Sequence, residues 1–290
     1  MYNANLYQGY DQQGLDAQYN NRARVPEHVE LHSRWEAEGE AVLAEFDTRL
    51  DVAYGPGPEE TLDVYLPKNA EGAPIHIFIH GGYWFSRHKD DFRFLARGLV
   101  PAGAVLVIVN YALVPRVNLD ELVRQCRAAV AWTHGNAATF GGDGERIFVS
   151  GHSAGGHLTA MMMATDWPAF GAGLPPDLVK GGCAISGIYD LEPIRLTFMQ
   201  ETLGFTPEQV ARNSPLSLSP ATEAPLIITV GGDESEEFLR QSEELNAAWG
   251  GRARCDLMVL SGLNHFTILA AFADPENALT RAALKQMGLG

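Results

Sequence analysis

Six short apolar runs, at 75–79, 105–109, 147–149, 183–185, 226–230 and 257–260, punctuate the last three quarters of the chain. Most are separated by stretches with helical periodicity. Runs without polar alternation are strands buried on both faces, and strands alternating with helices build a mostly parallel sheet. Ahead of them, 50–54 and 62–66 alternate apolar and polar residues around Gly55-Pro56-Gly57-Pro58, the pattern of an antiparallel hairpin. The helical stretches carry their own signals. Residues 26–46 have Pro26 in the first turn and Trp35, Val42 and Phe46 at helical spacing, although Gly39 weakens the pattern. In 119–132, Leu119, Leu122, Val123, Cys126 and Val130 share one face, and Asn118 with Glu121 resembles a capping box. In 236–249, Ser235 is placed as the N-cap, with Glu236 and Glu237 matched to the helix dipole.

One stretch interrupts the alternation. Between 190 and 225 there is no buried strand, only short helical pieces among Pro193, Pro207, Pro215 and Pro220. Insertions of this kind sit over strand ends and shape a pocket. The expectation is one α/β domain over 1–290, with 190–225 and an N-terminal segment, 1–48, as small cap elements. The polar residues 1–25 receive no element.

Composition narrows the partners. The chain has 290 residues, enough for a sizeable core, and a formal net charge of −15. An acidic surface argues against nucleic acid and anionic membranes. Cys126, Cys183 and Cys255 are widely spaced in apolar contexts, as for buried free thiols in a reducing compartment. The first residues lack the basic head and apolar run of a signal peptide, and no apolar run approaches spanning length. A cytoplasmic protein acting on a small molecule is expected; a homo-oligomer is left open.

The third apolar run leads into Gly151-His152-Ser153-Ala154-Gly155, a G-x-S-x-G pentapeptide, and a helical run leads out. Strand, pentapeptide, helix is the context of a nucleophile elbow, in which glycines allow a turn sharp enough to hold the serine hydroxyl above the sheet. Serine needs a base to take its proton, and the base needs an orienting group. In a sheet of this type the acid and the histidine follow the serine, in that order, at the ends of later strands. The acids available are Asp190, Asp233, Glu234, Glu236 and Glu237. Asp233 follows the run 226–230 through Gly231-Gly232 and is the assigned acid. Asp190 also ends a strand, 183–185, but one strand early, and reads as a turn or helix-cap residue. His265, in the loop after the last run, is the assigned base; His157, one turn into the elbow helix, reads as structural.

The oxyanion needs its own donors. His80-Gly81-Gly82-Tyr83-Trp84 follows the first run, and glycines there let N–H groups converge. Gly82, Tyr83 and Ala154 are the expected donors, with the His80 ring bonded to its own loop. Tyr83, Trp84 and Phe85 are equally compatible with an acyl or aryl pocket and with core. His28 and His32 share helical spacing, but Glu30 is not where a zinc protease needs it, so they read as a solvated helix face. No metal or cofactor motif is found.

Together these segments resemble the kynurenine formamidase (arylformamidase) branch of the α/β-hydrolases, itself similar to the hormone-sensitive-lipase-like esterases. The resemblance runs from about residue 50 to the end. It rests on His80-Gly81-Gly82-Tyr83-Trp84, on Gly151 to His157, on Asp233-Glu234-Ser235 with Glu237-Phe238 and Arg240-Gln241-Ser242, and on Asn264-His265-Phe266. Tyr83 stands where the esterase branch usually has a third glycine. The resemblance implies an α/β-hydrolase fold with Ser153, Asp233 and His265 as nucleophile, acid and base. It also implies cofactor-free cleavage of a small ester or N-formyl aryl amide through an acyl-enzyme. A general short-chain carboxylesterase is the alternative, and a non-catalytic binding protein on the same fold is the alternative of another class.

Overall fold

The structure, a computed structural model, describes residues 5–290. Two short helices, α1 (Gln12–Tyr19) and α2 (Asn21–Arg24), precede a long one, α3 (His28–Glu45). The expected hairpin follows as β1 (Asp47–Ala53) and β2 (Thr61–Leu66). Strands and helices then alternate: β3 (Ala73–Ile79), α4 (Ala96–Leu99), β4 (Val105–Val109), α5 (Leu119–Asn136), β5 (Gly142–His152), α6 (Ala154–Met163), α7 (Trp167–Phe170) and β6 (Val179–Ile185). Three short helices, α8 (Glu192–Arg195), α9 (Gln200–Leu203) and α10 (Pro207–Asn213), occupy the proline-rich interruption. The chain closes with β7 (Leu226–Gly231), α11 (Glu236–Trp249), β8 (Cys255–Leu260), α12 (Thr267–Ala273) and α13 (Ala278–Gln286).

The eight strands form one sheet in the order β1-β2-β4-β3-β5-β6-β7-β8, parallel from β4 to β8, with β2 antiparallel to both its neighbours. Side chains alternate between faces with period two. Ile75, Ile77 and Ile79 meet Leu122, Val123, Leu158 and Leu245 of α5, α6 and α11 on one face. Phe78, Leu106 and Ile108 meet Trp35, Val42, Leu99 and Phe272 of α3, α4 and α12 on the other. Burial of these runs on both faces accounts for their lack of alternation. The fold is that of an α/β-hydrolase.

The caps depart from expectation in detail. The Asn118 side chain accepts from the Glu121 N–H, as a cap should, but the Glu121 carboxylate goes to Arg124 and Gln125, so the box is half formed. Ser235 holds the N-cap position of α11 without a side-chain cap bond. Gly39 is buried where α3 crosses the segment 89–95; a Cβ there would come within 3.2 Å of Arg93 Cβ.

The strand order positions the site. From β3 the chain crosses to β4 on one side and later returns to β5 on the other. Crevices at such switch points, beyond the carboxyl ends of the strands, bind ligands in open α/β sheets. The loop after β3 and the elbow after β5 meet there.

Candidate active site

Ser153 sits at the turn between β5 and α6 with φ 59° and ψ −119°, a conformation an L-residue holds only when its surroundings enforce it. The glycines enforce it. A Cβ on Gly155 would overlap the Ile79 carbonyl oxygen, and one on Gly151 would overlap the Gly155 carbonyl. The Ser153 N–H continues the sheet to the Ile185 carbonyl at 2.9 Å. Its side chain lines a cavity of about 270 Å³ shared with His265.

His265 is buried and tightly held. Its Nδ1 lies 2.6 Å from Glu234 Oε2, and its carbonyl oxygen accepts from His152 Nε2 at 2.7 Å. Its ring packs between Phe238 and His152, with centroids 4.6 and 4.5 Å away. With Nδ1 committed to the carboxylate, Nε2 is the nitrogen left for the cavity. The second Glu234 oxygen accepts from the Ser186 hydroxyl at 2.5 Å and the Gly231 N–H at 2.7 Å. A buried carboxylate is tolerated when its lone pairs are met in this way.

The acid is therefore a correction. Asp233 is exposed, and its N–H donates to the Leu263 carbonyl at 3.0 Å. The chain leaves β7 in a tight turn, with the Glu234 N–H bonded to the Gly231 carbonyl at 3.2 Å. That turn aims residue 233 at water and residue 234 back at His265. The signal in the sequence was the Asp233-Glu234 pair itself: either carboxylate could follow the strand, and only the turn geometry separates them. Asp190, expected as a turn or helix-cap residue, makes a turn just ahead of α8, whose N-cap position is Leu191: its Oδ1 accepts from the Glu192 N–H and its Oδ2 from the Tyr7 hydroxyl.

The loop after β3 folds back sharply. Gly82, Tyr83 and Trp84 have φ of 110°, 50° and 60°, and the Gly82 carbonyl accepts from the Phe85 and Ser86 N–H groups. Among the described residues no protein acceptor takes the N–H of Gly82 or Tyr83. Ala154 is the first residue of α6, where an N–H has no partner within the helix. The three aromatics divide. Tyr83 and Phe85 line the cavity, whereas Trp84 is fully buried, its Nε1 donating to His157 Nδ1 at 3.2 Å.

The other histidines sort by partner. His80 Nδ1 bonds the Gly81 carbonyl at 2.8 Å and its ring stacks on Tyr111. His157 Nε2 bonds the Asn213 carbonyl at 2.7 Å. Burial pushes both imidazoles down to about 4, so they stay neutral supports. The expected solvated face of α3 is not one. His28 stacks on Phe266, and His32 packs edge-on against Phe266 and Trp35 and lines the cavity. Burial, then the charge of Arg87, lowers His32 to about 4.

Residues 1–25, which receive no element from the sequence, carry two helices. α1 and α2 lie across the cavity as a strap. The Tyr19 hydroxyl donates to Glu237 Oε2 and accepts from Gln241 Nε2, both at 2.7 Å, and the Tyr83 hydroxyl donates to the Tyr19 carbonyl at 2.6 Å. Gln12 and Asp16 bond the backbone at Leu196 and Phe198, joining the strap to the segment that carries α8–α10. These ties run mostly through Tyr, Gln and Asn. The polarity that left residues 1–25 without an element is what anchors them.

Among the described residues, no helix is long and apolar enough to cross a membrane, and no group of three or more His, Cys, Asp or Glu could hold a metal ion. Cys126 and Cys183 are buried free thiols; Cys255 is half-buried.

Comparison with known proteins fits this geometry. The family described as BD-FAE matches residues 62–169. A kynurenine formamidase of Danio rerio is 37% identical over 249 residues, covering 83% of this chain and 82% of its own. One from Salmo salar is 34% identical over 287 residues, covering 96% and 95%. A solved structure from Silicibacter sp. TM1040, provisionally described as a thioesterase, superposes with TM-score 0.82 at 30% identity over 92% of this chain and 97% of its own. The carboxylesterase EstE1 from a metagenomic library, at 21% identity and TM-score 0.66 over 90% and 96%, shares the fold.

Proposed function

Because the chain belongs to the kynurenine formamidase family of α/β-hydrolases, we propose that Ser153, His265 and Glu234 form its catalytic triad and that its substrate is an N-formyl aryl amide. The single observation that carries the triad is the 2.6 Å bond from His265 Nδ1–H to Glu234, with Ser153 on the same cavity. Ser153 Oγ attacks the formyl carbon while His265 Nε2 takes the hydroxyl proton. Glu234 accepts from Nδ1–H and fixes the tautomer. The oxyanion is received by the N–H groups of Gly82, Tyr83 and Ala154; losing one such donor typically costs about 10²–10³ in rate. The C–N bond breaks as Nε2–H gives its proton to the aryl amine nitrogen. Water then attacks the formyl ester of Ser153, its proton passing to Nε2 and on to the serine oxygen as formate leaves.

The segments 1–48 and 190–225 act as the cap of a single domain and limit the cavity to a small substrate. A second reading, a short-chain carboxylesterase, is favoured by the relatives named as esterases, among them LipC of Mycobacterium tuberculosis, 31% identical over 242 residues, covering 75% of this chain and 59% of its own. Ranking kcat/KM for N-formylkynurenine against p-nitrophenyl acetate separates the two. A clear preference for the formamide supports the formamidase; cleavage of the ester alone supports the esterase.

A further inference from the structure

Two histidines meet at the reacting centre, and the mechanism above uses one of them. His152 stands immediately before Ser153 and lines the same cavity, with its ring centroid 4.5 Å from that of His265. It is only 5% exposed. Its Nε2 bonds the His265 carbonyl at 2.7 Å, and a carbonyl only accepts, so the proton of this imidazole is on Nε2. Burial, then the charge of His265, holds the imidazole well below its usual pKa. The ring is therefore neutral, and Nδ1 keeps a lone pair. Among the described residues no protein group donates to that nitrogen, yet it is not sealed from solvent as His76 Nδ1 and His80 Nε2 are. The cavity is the space onto which it opens.

We propose that His152 Nδ1 accepts a hydrogen bond from the N–H of the departing amine, and that this bond fits the site to secondary formamides as well as to esters. The role rests on the formamidase reading above and names the residue that distinguishes an amide nitrogen from an ester oxygen. Attack by Ser153 turns the planar amide nitrogen into an amine, whose lone pair must face His265 Nε2–H before the C–N bond breaks. The N–H then points to the other side and needs an acceptor there. An ester oxygen carries no hydrogen and makes no such demand. No proton moves to His152: the nitrogen keeps its own hydrogen, and His265 Nε2–H supplies the second. A site with a buried acceptor for a substrate N–H discriminates against analogues that lack it.

The test compares formanilide with N-methylformanilide, which needs the same protonation by His265 but has no N–H, and runs phenyl formate alongside. The readout is the ratio of the two amide kcat/KM values within each protein, so that any general loss of activity or shift of His265 cancels. His152→Gln keeps a donor long enough for the His265 carbonyl and gives up the acceptor near Nδ1. His152→Asn keeps an acceptor near that position and gives up the tie, and His152→Phe removes both. The ratio should fall by about tenfold in His152→Gln and His152→Phe, and stay within about threefold of the wild type in His152→Asn. A ratio unchanged in His152→Gln and His152→Phe, or lowered as much in His152→Asn, overturns the assignment.

A second measurement uses the wild type alone, should the variants not fold. Ser153 is labelled with an N-phenyl phosphonamidofluoridate, which loses fluoride and keeps its N–H, or with the matching O-phenyl phosphonofluoridate. In 15N-histidine-labelled protein the His152 Nδ1 resonance should move upfield with the first label relative to the second; identical resonances overturn the assignment. If the wild type cleaves phenyl formate but neither amide, the formamidase reading fails and the role of His152 falls with it. If formanilide is cleaved and the ratio is flat across the variants, that reading stands and the role of His152 alone fails.

Discussion

Glu234 reaches His265 Nδ1 at 2.6 Å from a buried position, while its neighbour Asp233 faces solvent. The two carboxylates therefore differ sharply in consequence. Glu234→Gln should lower kcat by about 10³–10⁴, because an amide can present its NH₂ to Nδ1 and favour the wrong tautomer. Asp233→Asn should stay within about threefold, as an exposed substitution away from the site does. Steady-state kinetics on both variants checks this; the opposite ranking would restore Asp233 as the acid.

That offset marks how far the sequence reaches. Runs such as 105–109 are legible as strands because burial on both faces leaves no other use for five consecutive apolar residues. Ser153 and His265 are legible because glycine spacing and strand order constrain them. Glu234 was not separable from Asp233, since a one-residue choice is made by a turn closed by a backbone hydrogen bond. His32 looked solvated because its burial comes from Phe266 and Arg87, more than fifty residues away. The N-terminal segment is legible as a cap element, but its helices and their ties are not, because side-chain hydrogen bonds between distant polar residues have no sequence period.

Gly155→Ala should destabilise the fold by about 3 kcal/mol or more, since the new Cβ meets the Ile79 carbonyl, backbone of a central strand that cannot yield. Gly251→Ala, with nothing within 4 Å of its Cβ, is the matched control and should shift stability by no more than about 0.5 kcal/mol. Thermal melting of both variants decides; equal behaviour would contradict the packing of the elbow.

Tyr19→Phe removes one hydroxyl from a buried network that includes Glu237 and Gln241. The expected loss is about 1–3 kcal/mol of stability, the range for leaving buried polar groups unsatisfied. Because Tyr19 also lines the cavity, KM should rise severalfold with a smaller change in kcat. Unchanged melting and unchanged KM would show that the strap is not held this way.

Acid should weaken the fold in a window set by histidines. Burial lowers His76 to about 3 and His80 and His157 to about 4, so the folded protein keeps all three neutral while the unfolded chain protonates near 6.5. The unfolded state then binds more protons. Stability is full above about pH 6.5 and falls with pH through that window, by about 2 kcal/mol per histidine at pH 5. Urea unfolding at pH 7.5, 6.0 and 5.0 measures the slope; a flat profile would mean these rings are charged or accessible in the folded state.

The central claim is that Ser153 attacks a formyl carbonyl. Turnover of N-formylkynurenine by wild type and Ser153→Ala, on protein whose melting curves match, tests it most directly. The account predicts measurable formate release by the wild type and a loss of about 10⁴-fold or more in the variant. Full activity in Ser153→Ala, or no formamide cleavage by the wild type, would contradict it.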